Sequence, residues 1–268
     1  MGRRADATAR CARPEPCARH RAAGPGHDGV VTSVLCVIPV RGGSKGVPRK
    51  NLRDLGGKPL VVWTIEQALA CSSGLNVLVT TDDPEIAEVA RAAGALVPFL
   101  RPAELAQDTT ATEPVVRHAL DWWREDRGEP AAVMLLQATS PIRLPGTLDR
   151  AVAEFASSEI DSMVGVVAQA PFLWWAGDPP RADYAVGARP RRQDLTPATL
   201  RYRETGSLYV TRPWVYDQLD NRLGGRIALF VMDEVEGIDV DSEIDLDVAA
   251  ATVRDLATHP APRTEAPA

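Results

Sequence analysis

Val34-Leu35-Cys36-Val37-Ile38-Pro39-Val40 runs directly into Arg41-Gly42-Gly43-Ser44-Lys45-Gly46-Val47-Pro48-Arg49-Lys50-Asn51. The first stretch is apolar without alternation, the pattern of a parallel strand covered by helices on both faces. The second is a turn rich in glycine and basic side chains at the carboxyl end of that strand, the edge at which open α/β sheets bind ligands. Glycine lets backbone N–H groups come close to phosphate oxygens, and Arg41, Lys45 and Lys50 add positive charge. Gly46, Pro48 and Asn51 keep the segment out of helix. The turn lacks the Gly-Lys-Ser/Thr ending of a Walker loop and the GxGxxG spacing of a dinucleotide site.

Working outward, the pattern alternates. Helix is expected from Pro59 to about Cys71, strand over 76–81, and helix over 84–93 behind an Asp83 cap and Pro84, stopped by Gly94. Strands at 96–100, 132–137 and 162–168 alternate with helices at 112–125 and 145–157. This is an α/β fold, a doubly wound and mostly parallel sheet. Residues 169–203 break the rhythm with Pro171, Trp174-Trp175 and Pro179-Pro180 and are read as a smaller excursion whose paired tryptophans bury against either the parent domain or a second subunit. Strands return at 207–211, 227–232 and 238–240, with a closing helix over 243–257. The domain spans 30–258. Residues 1–29 read as a disordered tail or an over-extended gene start, and 259–268 as a frayed end.

The chain has a net charge of −6, but residues 1–29 carry six arginines against three acids, which leaves −9 on the remainder. An acidic body excludes generic nucleic-acid binding and makes any phosphate site a local concentration of charge. No apolar run approaches the roughly 20 residues of a membrane span. Cys11, Cys17, Cys36 and Cys71 form no CxxC pair and read as reduced thiols, which points to the cytoplasm.

Gly237-Ile238-Asp239-Val240-Asp241 places carboxylates at i and i+2, on one side of an extended segment. Both can reach one Mg²⁺, an ion that one or two carboxylates and substrate phosphates typically hold. Gln137 and Thr139 end a buried strand at the same sheet edge, and Arg101 and Thr112 flank the segment after the third.

These residues carry a resemblance. Val37-Ile38-Pro39-Val40-Arg41-Gly42-Gly43-Ser44-Lys45-Gly46 with Lys50-Asn51-Leu52, Arg101-Pro102-Ala103-Glu104-Leu105-Ala106, Leu136-Gln137-Ala138-Thr139-Ser140-Pro141, Arg191-Arg192-Gln193 and Ile238-Asp239-Val240-Asp241 follow in the order of the acylneuraminate cytidylyltransferases, the CMP-sialic acid synthetases, which the chain resembles over about 34–257. The resemblance implies Mg²⁺-dependent transfer of CMP from CTP to the anomeric hydroxyl of an acidic nine-carbon sugar, with pyrophosphate released, by a homodimer. It places Arg41, Gly42, Gly43, Ser44, Lys45, Lys50 and Asn51 on the phosphates and Arg101, Thr112, Gln137 and Thr139 on the nucleoside. It sets Arg192, Gln193, Arg203, Thr205 and Tyr209 toward the sugar. Asp239 and Asp241 would hold the metal and, with Arg41 and Lys45, carry the chemistry.

The chain departs from the family pattern twice. Thr205 stands where many relatives have Asn, and two tryptophans at 174–175 follow a stretch lacking a basic residue found in some sialic-acid enzymes. A legionaminic or pseudaminic acid is therefore an acceptor to weigh beside sialic acid. Another keto-deoxy sugar acid, another nucleoside triphosphate, or a catalytically silent nucleotide-binding paralogue are the alternatives.

Overall fold

The computed structural model of the chain describes residues 33–43 and 46–258. The expectations for 1–29, Cys11, Cys17, Ser44, Lys45 and 259–268 lie outside the described residues. In chain order the elements are β1 (Val34–Pro39), a hairpin of β2 (Asp54–Leu55) and β3 (Lys58–Pro59), α1 (Leu60–Leu69), β4 (Leu75–Thr80), α2 (Pro84–Ala92), α3 (Thr112–Arg127), β5 (Ala132–Leu136), α4 (Thr147–Ser157) and β6 (Ser162–Gln169). A second hairpin of β7 (Trp174–Trp175) and β8 (Arg181–Ala182) follows, then β9 (Arg201–Thr211), α5 (Pro213–Leu219), β10 (Ile227–Met232) and α6 (Glu243–Thr258).

The central sheet has the order β10-β6-β9-β5-β1-β4. β4 and β5 flank β1 in parallel, so the chain reverses its direction of travel across the sheet at β1 and opens a crevice at the carboxyl end of that strand. β9 alone runs antiparallel, between β5 and β6.

The unbroken apolar run of β1 follows from two covered faces. Cys36 and Ile38 pack with α1, α2 and α4 residues such as Ile65, Ile86 and Phe155. Leu35 and Val37 pack on the opposite side with Val116, Leu120 and Trp123 of α3 and Tyr216 of α5. A third cluster joins Leu55 and Leu60 to Val240 and to Leu246, Ala249 and Val253 of α6.

Two expected strands are corrected. Of 96–100, only Leu96 pairs with the sheet, in a single bridge to Leu78, because Pro98, two residues on, removes a backbone donor. Residues 238–240 form no strand; they leave a short helical turn, and Val240 N–H donates to Thr139 O while its side chain enters the third core. The excursion is shorter than 169–203, since Gln169 belongs to β6, Arg201–Thr211 is β9, and Gln169 faces Arg201 in register.

Candidate functional site

The loop after β1 and the loop after β5 meet over a cleft of about 440 Å³. Arg41, Lys50, Asn51, Arg101, Thr112, Gln137, Thr139 and Asp241 all line it. Residues separated by up to two hundred positions thus converge at the carboxyl edge of the sheet. Gly42 precedes the undescribed pair Ser44 and Lys45, and Gly43 is exposed beside them.

The basic loop is anchored by acids on its two sides. Gly42 N–H donates to Asp82 Oδ1 at 3.2 Å, and Asp82 also accepts from Arg101 Nη2 at 3.4 Å. Arg101 is buried and donates to Val40 O at 2.8 Å. Burial depresses its pKa, with Asp82 acting in the opposite direction. Asp83 caps α2 through the N–H groups of Glu85 and Ile86 and pairs with Arg49 at 3.0 Å. Burial works against its charged form, but those N–H groups and the guanidinium win and hold its carboxyl below the ordinary value.

A Cβ on Gly42 would lie 2.4 Å from Asp83 Oδ2, and Asp83 is held on several sides. Gly42→Ala should therefore displace the loop and weaken binding of a nucleoside triphosphate about tenfold, ~1.4 kcal/mol, by titration calorimetry. An affinity equal to wild type would show that the loop does not depend on this close approach.

Across the cleft, Lys50 Nζ pairs with Asp241 Oδ1 at 3.0 Å and also donates to Val240 O. Arg41 Nη1 pairs with Asp108 Oδ1 at 2.8 Å. Gly46 lies so close to the acidic segment that a Cβ there would stand 2.3 Å from Asp241 O. Asn51 Nδ2 closes the base of the loop on Arg41 O at 3.1 Å.

The acidic segment is built to present two carboxylates. Val240 is fully buried between them; Asp241, its side chain 78% exposed, lines the cleft, whereas Asp239 is half-buried beside it and is not part of the lining. Asp239 Oδ1 accepts from Ser140 Oγ at 3.3 Å, which ties it to the turn after β5. Among the described residues no cluster of three or more His, Cys, Asp or Glu offers a richer metal site. Two carboxylates form a hard oxygen donor set suited to Mg²⁺, and Asp241 already holds a cation in the Lys50 ammonium.

Two buried groups support this edge: Arg143 lies outside any readable sequence pattern, while Glu236 closes the capping box Asp233-Glu234-Val235-Glu236, a signal the sequence carries. Arg143 donates to Gln137 O, Ser207 O, Thr64 Oγ1 and Gln67 Oε1, and burial pushes its pKa down to about 10. Glu236, 1% exposed, accepts from Leu144 N, Thr147 Oγ1 and Asp233 N, fastening the acidic segment to the start of α4.

The residues expected to face a sugar are not gathered in the cleft. Arg192 and Gln193 are exposed in a short helical turn of the excursion, with Arg192 over the Phe172 ring. Arg203 leaves the sheet edge toward Gly237 O, 3.0 Å away, and lines a shallow hollow with Asp233, Glu234 and Ile238. Thr205 and Tyr209 need correction. Thr205 is 3% exposed, donates to Gly165 O and accepts from Ser207 N; Tyr209 is 2% exposed and donates to Glu204. Both side chains are occupied inside the sheet and present almost no surface to a ligand.

Residues 35–171 match the family profile described as Cytidylyltransferase. The chain is 30% identical over 220 residues to pseudaminic acid cytidylyltransferase of Campylobacter jejuni, covering 80% of this chain and 94% of that one. It is 33% identical over 228 residues to N-acylneuraminate cytidylyltransferase A of Danio rerio, covering 82% of this chain and half of that longer one. A solved CMP:2-keto-3-deoxy-manno-octonic acid synthetase complexed with CTP shares the fold, with a TM-score of 0.60 at 16% identity over 83% of this chain and 99% of that chain.

Proposed function

The chain belongs to the acylneuraminate cytidylyltransferase family, and from that premise we propose that it joins CMP from CTP to the anomeric hydroxyl of a nonulosonic acid, releasing pyrophosphate. The observation that carries this reading is the convergence of Arg41 and Lys50 with Asp241 and with Arg101, Thr112 and Gln137 on one cleft. A polyanion with a nucleoside at one end fits that division of charge. The acceptor hydroxyl forms a new bond to the α-phosphorus as the bond to the β-phosphate oxygen breaks, and the hydroxyl proton is given up.

Such a transfer depends on positioning and on stabilising charge at in-line oxygens more than on a covalent partner. Arg41 and Lys50, released from Asp108 and Asp241, offer their cationic ends to the triphosphate. Lys45 and Ser44 would add to this grip. Arg101, fixed by Val40 O and Asp82, and Gln137, fixed through Arg143, orient the nucleoside. Asp239 and Asp241 would hold Mg²⁺, which when bound neutralises phosphate charge and makes an adjacent hydroxyl more acidic.

The acceptor reading covers pseudaminic, legionaminic and N-acetylneuraminic acids, with Arg192 or Arg203 as the guanidinium for its carboxylate. Burial of Thr205 removes one expected contact from that choice. A homodimer built through 170–200 is supported by Trp174 and Trp175, 55% and 59% exposed, beside exposed Leu173 and Val186. A cytoplasmic setting is supported by Cys36 and Cys71, free thiols whose burial raises their pKa to about 12 and about 11. No helix among the described residues is long and apolar enough to cross a membrane.

The deciding experiment incubates the protein with Mg²⁺, each of the four ribonucleoside triphosphates, and each nonulosonic acid, with the product identified by mass. A CMP-sugar from one or more of these acids is expected. CTP binding without product for any acid would favour the silent paralogue, and product from another nucleotide would displace CTP.

A further inference from the structure

Gln137 leaves β5 with its main chain pinned, since its carbonyl accepts from Arg143 Nη2 at 3.2 Å and from Ser140 N at 3.3 Å. Its side chain lines the cleft, yet the amide makes no hydrogen bond to another described residue. Among the described residues, nothing polar aims it. What it rests on is Gly206, where a Cβ would stand 2.5 Å from Gln137 Oε1 and 3.5 Å from its Cδ.

Gly206 lies where the pairing of β9 with β6 slips: Glu204 faces Val166 and Tyr209 faces Val164, so several β9 residues bulge against Gly165. The bulge needs a φ of +71° at Gly206. It is held on both sides. Ser140 Oγ donates to Thr205 O, Thr205 Oγ1 donates to Gly165 O, and Ser207 O accepts from Arg143. Gly206 cannot retreat, so a side chain there moves the Gln137 amide.

We propose that Gly206 is the positioning residue for the Gln137 amide, making recognition of the nucleotide donor depend on a bare backbone surface in the β9 bulge. This rests on the reading of the cleft as the donor site. It also explains why Thr205 is buried: its hydroxyl fastens the bulge that presents Gly206, rather than meeting the acceptor.

The test compares wild type, Gly206→Ala, Gln137→Ala and the double variant by steady-state kinetics in CTP, with thermal unfolding of each. Gly206→Ala should raise KM for CTP about five- to tenfold, the scale of one lost neutral hydrogen bond, with kcat within about twofold. In the Gln137→Ala background the same substitution should change KM less than about twofold, because the group it displaces is gone. Equal factors in both backgrounds, or a wild-type KM in Gly206→Ala, overturn the proposal.

Should Gly206→Ala fail to fold, recovery of a folded protein on adding Gln137→Ala supports it. Failure of both shows that the left-handed backbone alone dictates glycine, which overturns it. A wild-type enzyme that turns over no CTP with any acceptor would instead fail the donor reading itself.

Discussion

Asp241→Ala is expected to cut CMP transfer about a thousandfold, with the loss falling on kcat, while the unfolding free energy changes by less than about 1 kcal/mol. The asymmetry follows from where Asp241 sits. Its side chain is 78% exposed, and its ion pair with Lys50 is worth little to a folded chain. The backbone it shares with buried Val240 stays in place in the variant. Removing the carboxylate takes away a proposed Mg²⁺ ligand at the point where phosphate charge develops, but frees Lys50 to engage the triphosphate, so CTP still binds. Steady-state rates over a Mg²⁺ series, with chemical denaturation in parallel, measure both halves. Turnover near wild type would sink the metal assignment.

Arg143→Ala should show the opposite balance, lowering unfolding free energy by about 3 kcal/mol and the melting midpoint by roughly 10 °C. The guanidinium satisfies four acceptors on α1, the β5 turn and β9, all neutral. Its removal relieves the cost of burying a cation but leaves those acceptors without a donor and opens a void in the layer under the cleft. Arg143→Lys should recover only part of the loss, because one ammonium cannot span the four positions. An alanine variant as stable as wild type would mean that desolvation of the guanidinium cancels its hydrogen bonds.

The doubly wound frame was legible because it rests on local signals: the apolar run of β1, the Asp83-Pro84 start of α2, and the glycine that stops it. That residues of the loop after β1 and of the turn after β5 line one cleft was legible for a related reason, since glycine-rich basic turns and sheet-edge polar residues lie next to strands already visible in the pattern. Residues 96–100 looked like a strand by composition, but Leu96 and Leu100 are 41% and 51% exposed and only the first reaches the sheet. α5 gave no periodic stretch long enough to notice over its seven residues. The acceptor half was least legible. Nothing in the sequence tells that Thr205 lies in a bulge or that Tyr209 points into the core, because both depend on β9 running against its neighbours. Arg143 was invisible for a like reason, since Thr64, Gln67 and Ser207 reach it from distant parts of the chain; of Glu236 only the local capping box with Asp233 was readable, not its bonds to Leu144 and Thr147.

The register that sets Gln169 opposite Arg201 has a consequence for how such an enzyme diversifies. The segment between them departs from and returns to adjacent rungs of the same sheet, so its ends are held together whatever lies in between. Lengthening such a closed loop costs chain entropy only logarithmically. The stretch carrying Trp174, Trp175 and Arg192 is therefore a natural cassette: its length and composition can change between two neighbouring joints while the cleft on the other strands keeps its shape.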